Sequence, residues 1–387
     1  MNALPLYITH ANLILADEIL TNASLLIEDG NISAINPKSV PDHTLTIDAK
    51  GKTVMPGMVD LHCDALEKEV EPRPNVHFPL DFACAQADKR NASAGITTVF
   101  HALSFANEEL GVRNNQFAKE IAESVHKFQP HALVDNRVHC RYEVTDPTGL
   151  PILMELIANQ SMHLVSLMDH TPGQGQFKDL AAYKAYFGKS YQKSDEELDE
   201  MIAQKLQQAE GAMERVELLV KTAHAQGIAV ASHDDDCKER VDTMTALGVD
   251  ISEFPINMET AKYAREKGMK TIMGAPNILR GKSQSGSMRA LDTVNAGLCD
   301  CLCADYAPAA LIVAVFKLPE ISNLNLAQAV QLVTKNPAEA AKLHDRGVID
   351  IGKRADIIMV ADLDGLVQVS DVFVAGVLAF KASYDHV

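Results

Sequence analysis

The sequence predicts an α/β fold, a TIM-like (β/α)8 barrel over residues 57–345 with a small β-sandwich domain assembled from residues 1–56 and 346–387. Three observations carry this expectation. Between Val59 and Pro337 short apolar runs alternate with longer stretches of helical periodicity, which is the pattern of parallel βα units. Both ends of the chain read instead as short β-branched runs broken by Asn, Asp and Gly. Finally, imidazoles and carboxylates end several of the central runs, where a βα barrel gathers its chemistry.

Taken in order, Leu6 to Asp48 forms antiparallel strands, with Asp29-Gly30-Asn31 supplying a hairpin turn. The barrel strands are expected at Val59–Cys63, Thr97–Ala102, Arg137–Val144, Leu164–Met168, Ile228–Ser232, Ile251–Phe254, Thr271–Gly274 and Cys299–Ala304. Within Asp195 to Gln226, apolar residues at Leu198, Met201, Ile202, Leu206, Ala209, Met213, Val216, Leu219 and Val220 mark one amphipathic helical region. It makes the fourth βα connection unusually long. The tail returns to strand character at Gly347-Val-Ile-Asp-Ile-Gly, Ala355-Asp-Ile-Ile-Met-Val-Ala and Val369-Ser-Asp-Val-Phe-Val-Ala-Gly-Val-Leu.

Composition narrows the function classes. At 387 residues, 47% hydrophobic and 22% charged, the chain is neither disordered nor a disulfide scaffold. The 35 Lys+Arg against 52 Asp+Glu give a formal charge of -17, which argues against nucleic acid or an anionic membrane as a partner. The purest apolar run, Ala307 to Phe316, is far short of the roughly 20 residues that span a bilayer. Seven cysteines in no paired framework suit reduced thiols, and the N-terminus lacks the charged start of a secretion signal, so a cytoplasmic location is expected. The expected partner is a small-molecule substrate; a homo-oligomer is compatible with the pattern.

The strand-end residues are heavy in metal ligands. The first run ends in His62-Cys63-Asp64, and residues i and i+2 of a strand face one side, so His62 and Asp64 can chelate one cation together. The third run gives His139-Cys-Arg141-Tyr-Glu143, the fourth Met168-Asp169-His170, the fifth Ser232-His233-Asp234-Asp235-Asp236, and the eighth Ala304-Asp305-Tyr306. Any one of these alone is an ordinary strand-end cap or a satisfied polar group of the core. Convergence of so many on one mouth is better explained by a divalent cation, Zn2+ or Mn2+ for mixed nitrogen and oxygen donors. Cys299, Cys301 and Cys303 share a strand face with Asp305; small buried fillers of the barrel interior are favoured over a thiolate cluster.

The segments Pro56-Gly-Met-Val-Asp-Leu-His-Cys-Asp and Asn336-Pro-Ala…Arg346-Gly-Val-Ile…Gly352-Lys-Arg-Ala-Asp-Ile resemble the amidohydrolase superfamily, whose members join such a barrel to a β-sandwich built from both termini. More narrowly, Leu66-Glu-Lys68 with Pro72-Arg73-Pro74, Gly95-Ile-Thr-Thr-Val, Leu164-Val-Ser-Leu-Met-Asp-His170-Thr-Pro-Gly, Ala231-Ser-His233-Asp-Asp, Glu253-Phe-Pro and Met273-Gly-Ala-Pro-Asn-Ile-Leu-Arg280-Gly are similar to the α-D-ribose 1-methylphosphonate 5-triphosphate diphosphatase family of phosphonate metabolism. The resemblance runs from about residue 20 to the C-terminus. The chain departs from that family's pattern at Ala65 in place of Asn, at Gly175 in place of Arg, at Ser283-Gln284-Ser-Gly-Ser287 in place of Ser-His-Ser-Gly-Asn, and at Asn136 in place of His.

The resemblance implies one or two divalent ions held by His62, Asp64, Glu143, His170, His233 and Asp305, with His139 the substitute for Glu143 as the bridging group. Asp305 would also orient the attacking water and shuttle its proton. Lys68, Arg73, Arg141, Gln174, Asn277, Arg280 and Ser283 would contact the substrate. Two electrophiles fit: the α-phosphorus of a ribose 5-triphosphate phosphonate compound, with diphosphate leaving, or the carbonyl of an amide or cyclic amide. The family resemblance favours the first; the lost Arg and His donors, suited to a polyanionic tail, and the charge of -17 favour the second. A metal-free scaffold is a third reading, opposed by the intact ligand positions.

Overall fold

The computed structural model describes residues 4–107, 114–171, 184, 194–283 and 287–384. Five strands open the chain: β1 (Leu6–Ile14), β2 (Ile19–Glu28), β3 (Asn31–Ile35), β4 (Leu45–Asp48) and β5 (Thr53–Pro56). The β2–β3 connection is the expected hairpin, with Asp29 and Gly30 at φ 48° and 79°. Two consecutive left-handed residues make the tight turn that matches strand twist, and Asp-Gly is the pair that tolerates it. The chain closes with β14 (Ile357–Leu363), β15 (Leu366–Val374) and β16 (Val377–Lys381), and both ends pair into one mixed sheet in the order β16-β15-β14-β5-β1-β2-β3, with β4 on β1.

Alternation along these strands decides what each face covers. Ile357 and Met359 join Ile8, Leu13, Leu25, Ile27 and Phe373 in the sheet's own core. Ile358 and Val360, one residue out of phase, pack with Val369 and Val372 against barrel residues such as Leu311 and Val315. The sheet is thereby fixed to the barrel through its second face.

All eight expected barrel runs form strands: β6 (Met58–Cys63), β7 (Ile96–Phe105), β8 (Asp135–Glu143), β9 (Leu164–Met168), β10 (Ala229–His233), β11 (Ile251–Glu253), β12 (Lys270–Gly274) and β13 (Cys301–Cys303). They pair in chain order and in parallel. Val59, Leu61, Phe100, Leu164, Ala229, Ala231, Ile251, Ile272, Cys301 and Cys303 share one cluster that fills the interior. Cys301 and Cys303 are therefore fillers, and burial pushes both thiols well above the usual cysteine range.

Between β6 and β13 the ladder is replaced by other partners. Val59 N and Leu302 N donate to the carbonyls of Val333 and Leu332, and Ala304 N donates to the Asp60 carboxylate at 3.0 Å. At the top of this seam Asp305 N donates to His62 O and Asp64 N to Asp305 O, which ties the first strand end to the last. The apolar periodicity predicts one helical region over Asp195 to Gln226; the structure divides it into Asp195–Gln208 and Ala212–Ala225 at Gly211, whose φ is 71°. The first helix starts at a Ser194–Glu197 capping box. Leu206 and Met213, counted in the expected stripe, are exposed. Among the described residues, no helix is long and apolar enough to cross a membrane.

Candidate metal centre

Because β-strand side chains alternate, His139, Arg141 and Glu143 share a face of β8. Cys140 and Tyr142 point the other way, into the layer between the sheet and its helices. On β11 the same rule places Glu253 on the face of Ile251, which belongs to the barrel interior. Its register partner on β10 is His233.

These strand ends converge on Glu253, which is fully buried. Its Oε1 lies 2.8 Å from His62 Nδ1, and its Oε2 lies 3.9 Å from both His139 Nε2 and His233 Nε2. Ligand atoms of His62, His139 and Glu253 come within 4.8 Å of one another. His62 Nε2 is 3.3 Å from Asp64 Oδ1, so the i, i+2 pair expected on β6 does meet. His233 Nδ1 is paired with Asp234 at 3.1 Å, which turns Nε2 towards Glu253.

Asp234 and Phe254, which directly follow β10 and β11, and Asp305, two residues past β13, all have φ of 54°. Each sends its backbone N–H to the neighbouring strand: Asp234 to Glu253 O, Phe254 to Ile272 O and Asp305 to His62 O. This repeated left-handed bend re-aims the side chain from the strand direction into the mouth; all three residues line the cavity there.

The electrostatics ask for a cation. Burial works against the charged ring of His62, but the carboxylates of Glu253 and Asp64 outweigh it and push its pKa up to about 10. Burial likewise opposes the charge on Glu253, yet His62 and His139 hold it well below the usual carboxylate range. His139 goes the other way: burial pulls it down to about 3 and keeps the ring neutral. Its Nδ1 faces Leu61 O at 2.9 Å, which can only accept, so Nε2 carries the lone pair and takes the Ser166 hydroxyl at 2.9 Å. Burial raises Asp305 above the ordinary aspartate value, against the pull of His62.

Glu253 Oε2 and His233 Nε2 are buried without a hydrogen-bond partner. Buried acceptors left unpaired are costly, and two of them face each other across 3.9 Å beside a neutral imidazole. A divalent ion with nitrogen and oxygen ligands fits this donor set.

The remaining expected residues divide. Glu143 pairs with His170, Nδ1 to Oε2 at 2.7 Å, and accepts the Thr145 hydroxyl at 2.7 Å, forming a second group beside the central one. Arg141 lies 3.5 Å from Asp64 and lines a cavity of about 270 Å3 with Asn277, Arg280 and Ser283. Asn277 accepts from Ala290 N at 3.0 Å, and Arg280 reaches the Tyr306 hydroxyl at 3.4 Å.

Lys68 and Arg73 do not border that cavity. The helix Ala65–Val70 buries Ala65, Leu66 and Val70, so Lys68 falls on its solvent face, and Arg73 sits in the exposed stretch that follows. Gln174 lies outside the described residues, as do Gly175 and Gln284.

Two of the departures from the family pattern lie in packed layers of the fold. Asn136 is seven residues before the end of β8 on its outward face, bonded to His101 at 2.8 Å and to Asp88 at 2.8 Å. Ala65 is buried in the core with Cys63. Neither is among the described residues that line the cavity.

Glu253 and Asp234 were absent from the expected ligand set. Glu253 sits inside the run Ile251-Ser-Glu-Phe-Pro255, where apolar neighbours on both sides hide the strand end. Counting in twos from Ile251 would have found it.

A parallel barrel whose mouth is built this way falls in the class of barrel hydrolases. The amidohydrolase family model matches residues 53–379, and the chain belongs to that family, as a hydrolytic enzyme of its superfamily. It is 34% identical over 380 residues to the α-D-ribose 1-methylphosphonate 5-triphosphate diphosphatase of Escherichia coli (strain K12), covering 96% of this chain and 100% of that one. Among solved structures, the fold is similar to 5-methylcytosine deaminase from Klebsiella pneumoniae (TM-score 0.66, 15% identity, 98% of each chain covered). It is similar also to N-acetylglucosamine-6-phosphate deacetylase from Pasteurella multocida (TM-score 0.65, 12% identity, 97% of this chain and 99% of that one).

Proposed function

We propose that this protein is a metal-dependent diphosphatase that cleaves the triphosphate of a ribose 5-triphosphate phosphonate compound at the α-phosphorus and releases diphosphate. The observation that carries the reading is the similarity to the Escherichia coli diphosphatase along its whole length. In support, Arg141, Arg280 and Lys282 line the cavity beside the candidate ligands, where guanidinium and ammonium groups can hold an anionic tail.

His62, Asp64, His139, His233 and Glu253 would hold one divalent ion, with Glu143 and His170 placed to hold a second. Such an ion lowers the pKa of a bound water towards about 7 and screens phosphoryl charge. The chain's own groups do the rest. Asp305, with its carboxyl raised by burial, takes the proton of the attacking water and hands it to the departing diphosphate. Asp234 keeps the His233 ring turned inward. Phe254, ring to ring with His62 at 5.1 Å and His233 at 5.3 Å, covers one side of the site and excludes water there.

A second reading, hydrolysis of an amide or cyclic amide, is favoured by the carboxylates of Asp64, Asp234 and Asp305 in the same cavity, which oppose a polyanion. The test is metal content of the purified protein together with diphosphate release from a ribose 5-triphosphate phosphonate and ammonia or carboxylate release from an amide panel. One or two divalent ions per chain with diphosphate release is the expected result. Amide turnover without diphosphate release would replace the first reading by the second.

A further inference from the structure

His170 follows β9 and His233 ends β10, neighbouring strands paired at Leu167 and Ser232. Behind them, away from that cavity, lies a partly buried ion triad. Arg240, near the start of the helix Lys238–Leu247, donates through Nη1 to Asp169 Oδ2 at 3.2 Å and through Nε to Asp235 Oδ1 at 3.2 Å. The Arg240 side chain is 15% exposed, Asp169 17% and Asp235 0%. The other carboxylate oxygens are also used: Asp235 Oδ2 accepts from Ser232 and Ser252, and Asp169 Oδ1 accepts from Thr171 N and its hydroxyl.

Asp169 immediately precedes His170, and Asp235 stands two residues after His233. One rigid planar guanidinium therefore ties together the two loops that carry the nitrogen donors of β9 and β10. Stability is a poor account of such a triad, because replacing a buried ion pair with apolar groups is often neutral. Its distinctive property is geometry, since a guanidinium presents donors in a fixed fork that an ammonium lacks. Neither Arg240 nor Asp235 borders the cavity at the candidate metal centre; Arg240 and Asp169 line a separate one with Thr171 and Met244.

We propose that Arg240 is a positioning residue that sets the placement of His170 relative to His233 and so governs how tightly the site holds its divalent ions, His233 belonging to the first ligand group and His170 to the second. This rests on the metal-dependent reading above. Groups that orient metal-binding histidines typically change metal affinity about 10–100-fold when replaced.

The test uses the full chain and its Arg240→Lys and Asp169→Asn variants. Zn2+ affinity is measured by chelator competition, and thermal unfolding of the metal-free proteins is followed separately. Both variants should unfold cooperatively, with Zn2+ affinity reduced about 10–100-fold. Lysine should fail to rescue although it keeps the charge. Asp169→Asn leaves the Arg240–Asp235 arm intact and so guards against an Arg240 variant that does not fold. Wild-type affinity in either folded variant overturns the proposal, as would a shift in melting temperature alone. A wild-type chain that takes up no Zn2+ or Mn2+ instead overturns the metal reading, and this inference with it.

Discussion

Glu253 concentrates the chemistry of the site in one side chain. It lies 2.8 Å from His62, whose pKa its negative charge raises, and 3.9 Å from both His139 and His233. The isosteric Glu253→Gln removes the charge and keeps the shape. The expected outcome is a fall in divalent-metal affinity of about 10–100-fold with a loss of turnover at limiting metal. Equilibrium dialysis against Zn2+ checks it, and undiminished binding would remove Glu253 from the ligand set. Asp60, two residues before His62, has a different task. Its carboxylate accepts from His62 N at 3.2 Å and Ala304 N at 3.0 Å, standing in for a missing ladder rung, and burial pushes its pKa up to about 7.

The eighth barrel strand and the entry to the first are where packing decides most. Cys301 and Cys303 fill the interior beneath the mouth without ligating. Cys301→Ala and Cys303→Ala should each cost about 1 kcal/mol of stability, the loss of roughly one methyl-sized group, and leave metal content unchanged. Denaturant unfolding and elemental analysis of the same samples separate this from a thiolate site, which would lose its metal. At the start of β6, a Cβ on Gly57 would stand 2.2 Å from Thr97 Oγ1. Gly57→Ala forces β6 away from β7 and should cost about 1–3 kcal/mol. Its urea midpoint should fall accordingly; an unchanged midpoint would mean that the strand ends can separate freely.

Across the whole molecule, two imidazoles outside the cavity, His101 buried and His163 partly so, set an acid limit on stability. Burial pulls His101 and His163 down to about 4 from 6.5, so both rings stay neutral in the folded chain while the unfolded chain protonates them. The unfolded state then binds more protons between about pH 6.5 and 4, and stability falls as the pH falls through that window. Each ring contributes a slope of up to about 1.4 kcal/mol per pH unit. In His101→Gln, whose amide can still donate to Asn136, the slope should shrink by about one proton. Denaturant titrations at several pH values measure this directly, and an unchanged slope would show that His101 is charged in the fold.

The barrel was legible because its strands are short apolar runs separated by helical periodicity, signals that survive in one dimension. His62 with Asp64 was legible for the same reason: the period of a strand puts i and i+2 on one face. The hairpin at Asp29-Gly30 follows from local backbone preference alone. What local pattern does not encode is which strand end lies opposite which. The partnership of Glu253 with His62, 191 residues apart, exists only once the barrel closes. The same closure places Asn136 and Ala65 in packed layers, which their places in the motifs do not reveal. By itself the sequence determined the elements, their order and the kinds of ligand available. Tertiary structure decided which ligands meet, because barrel register and closure are long-range properties fixed by core packing rather than by any local run of residues.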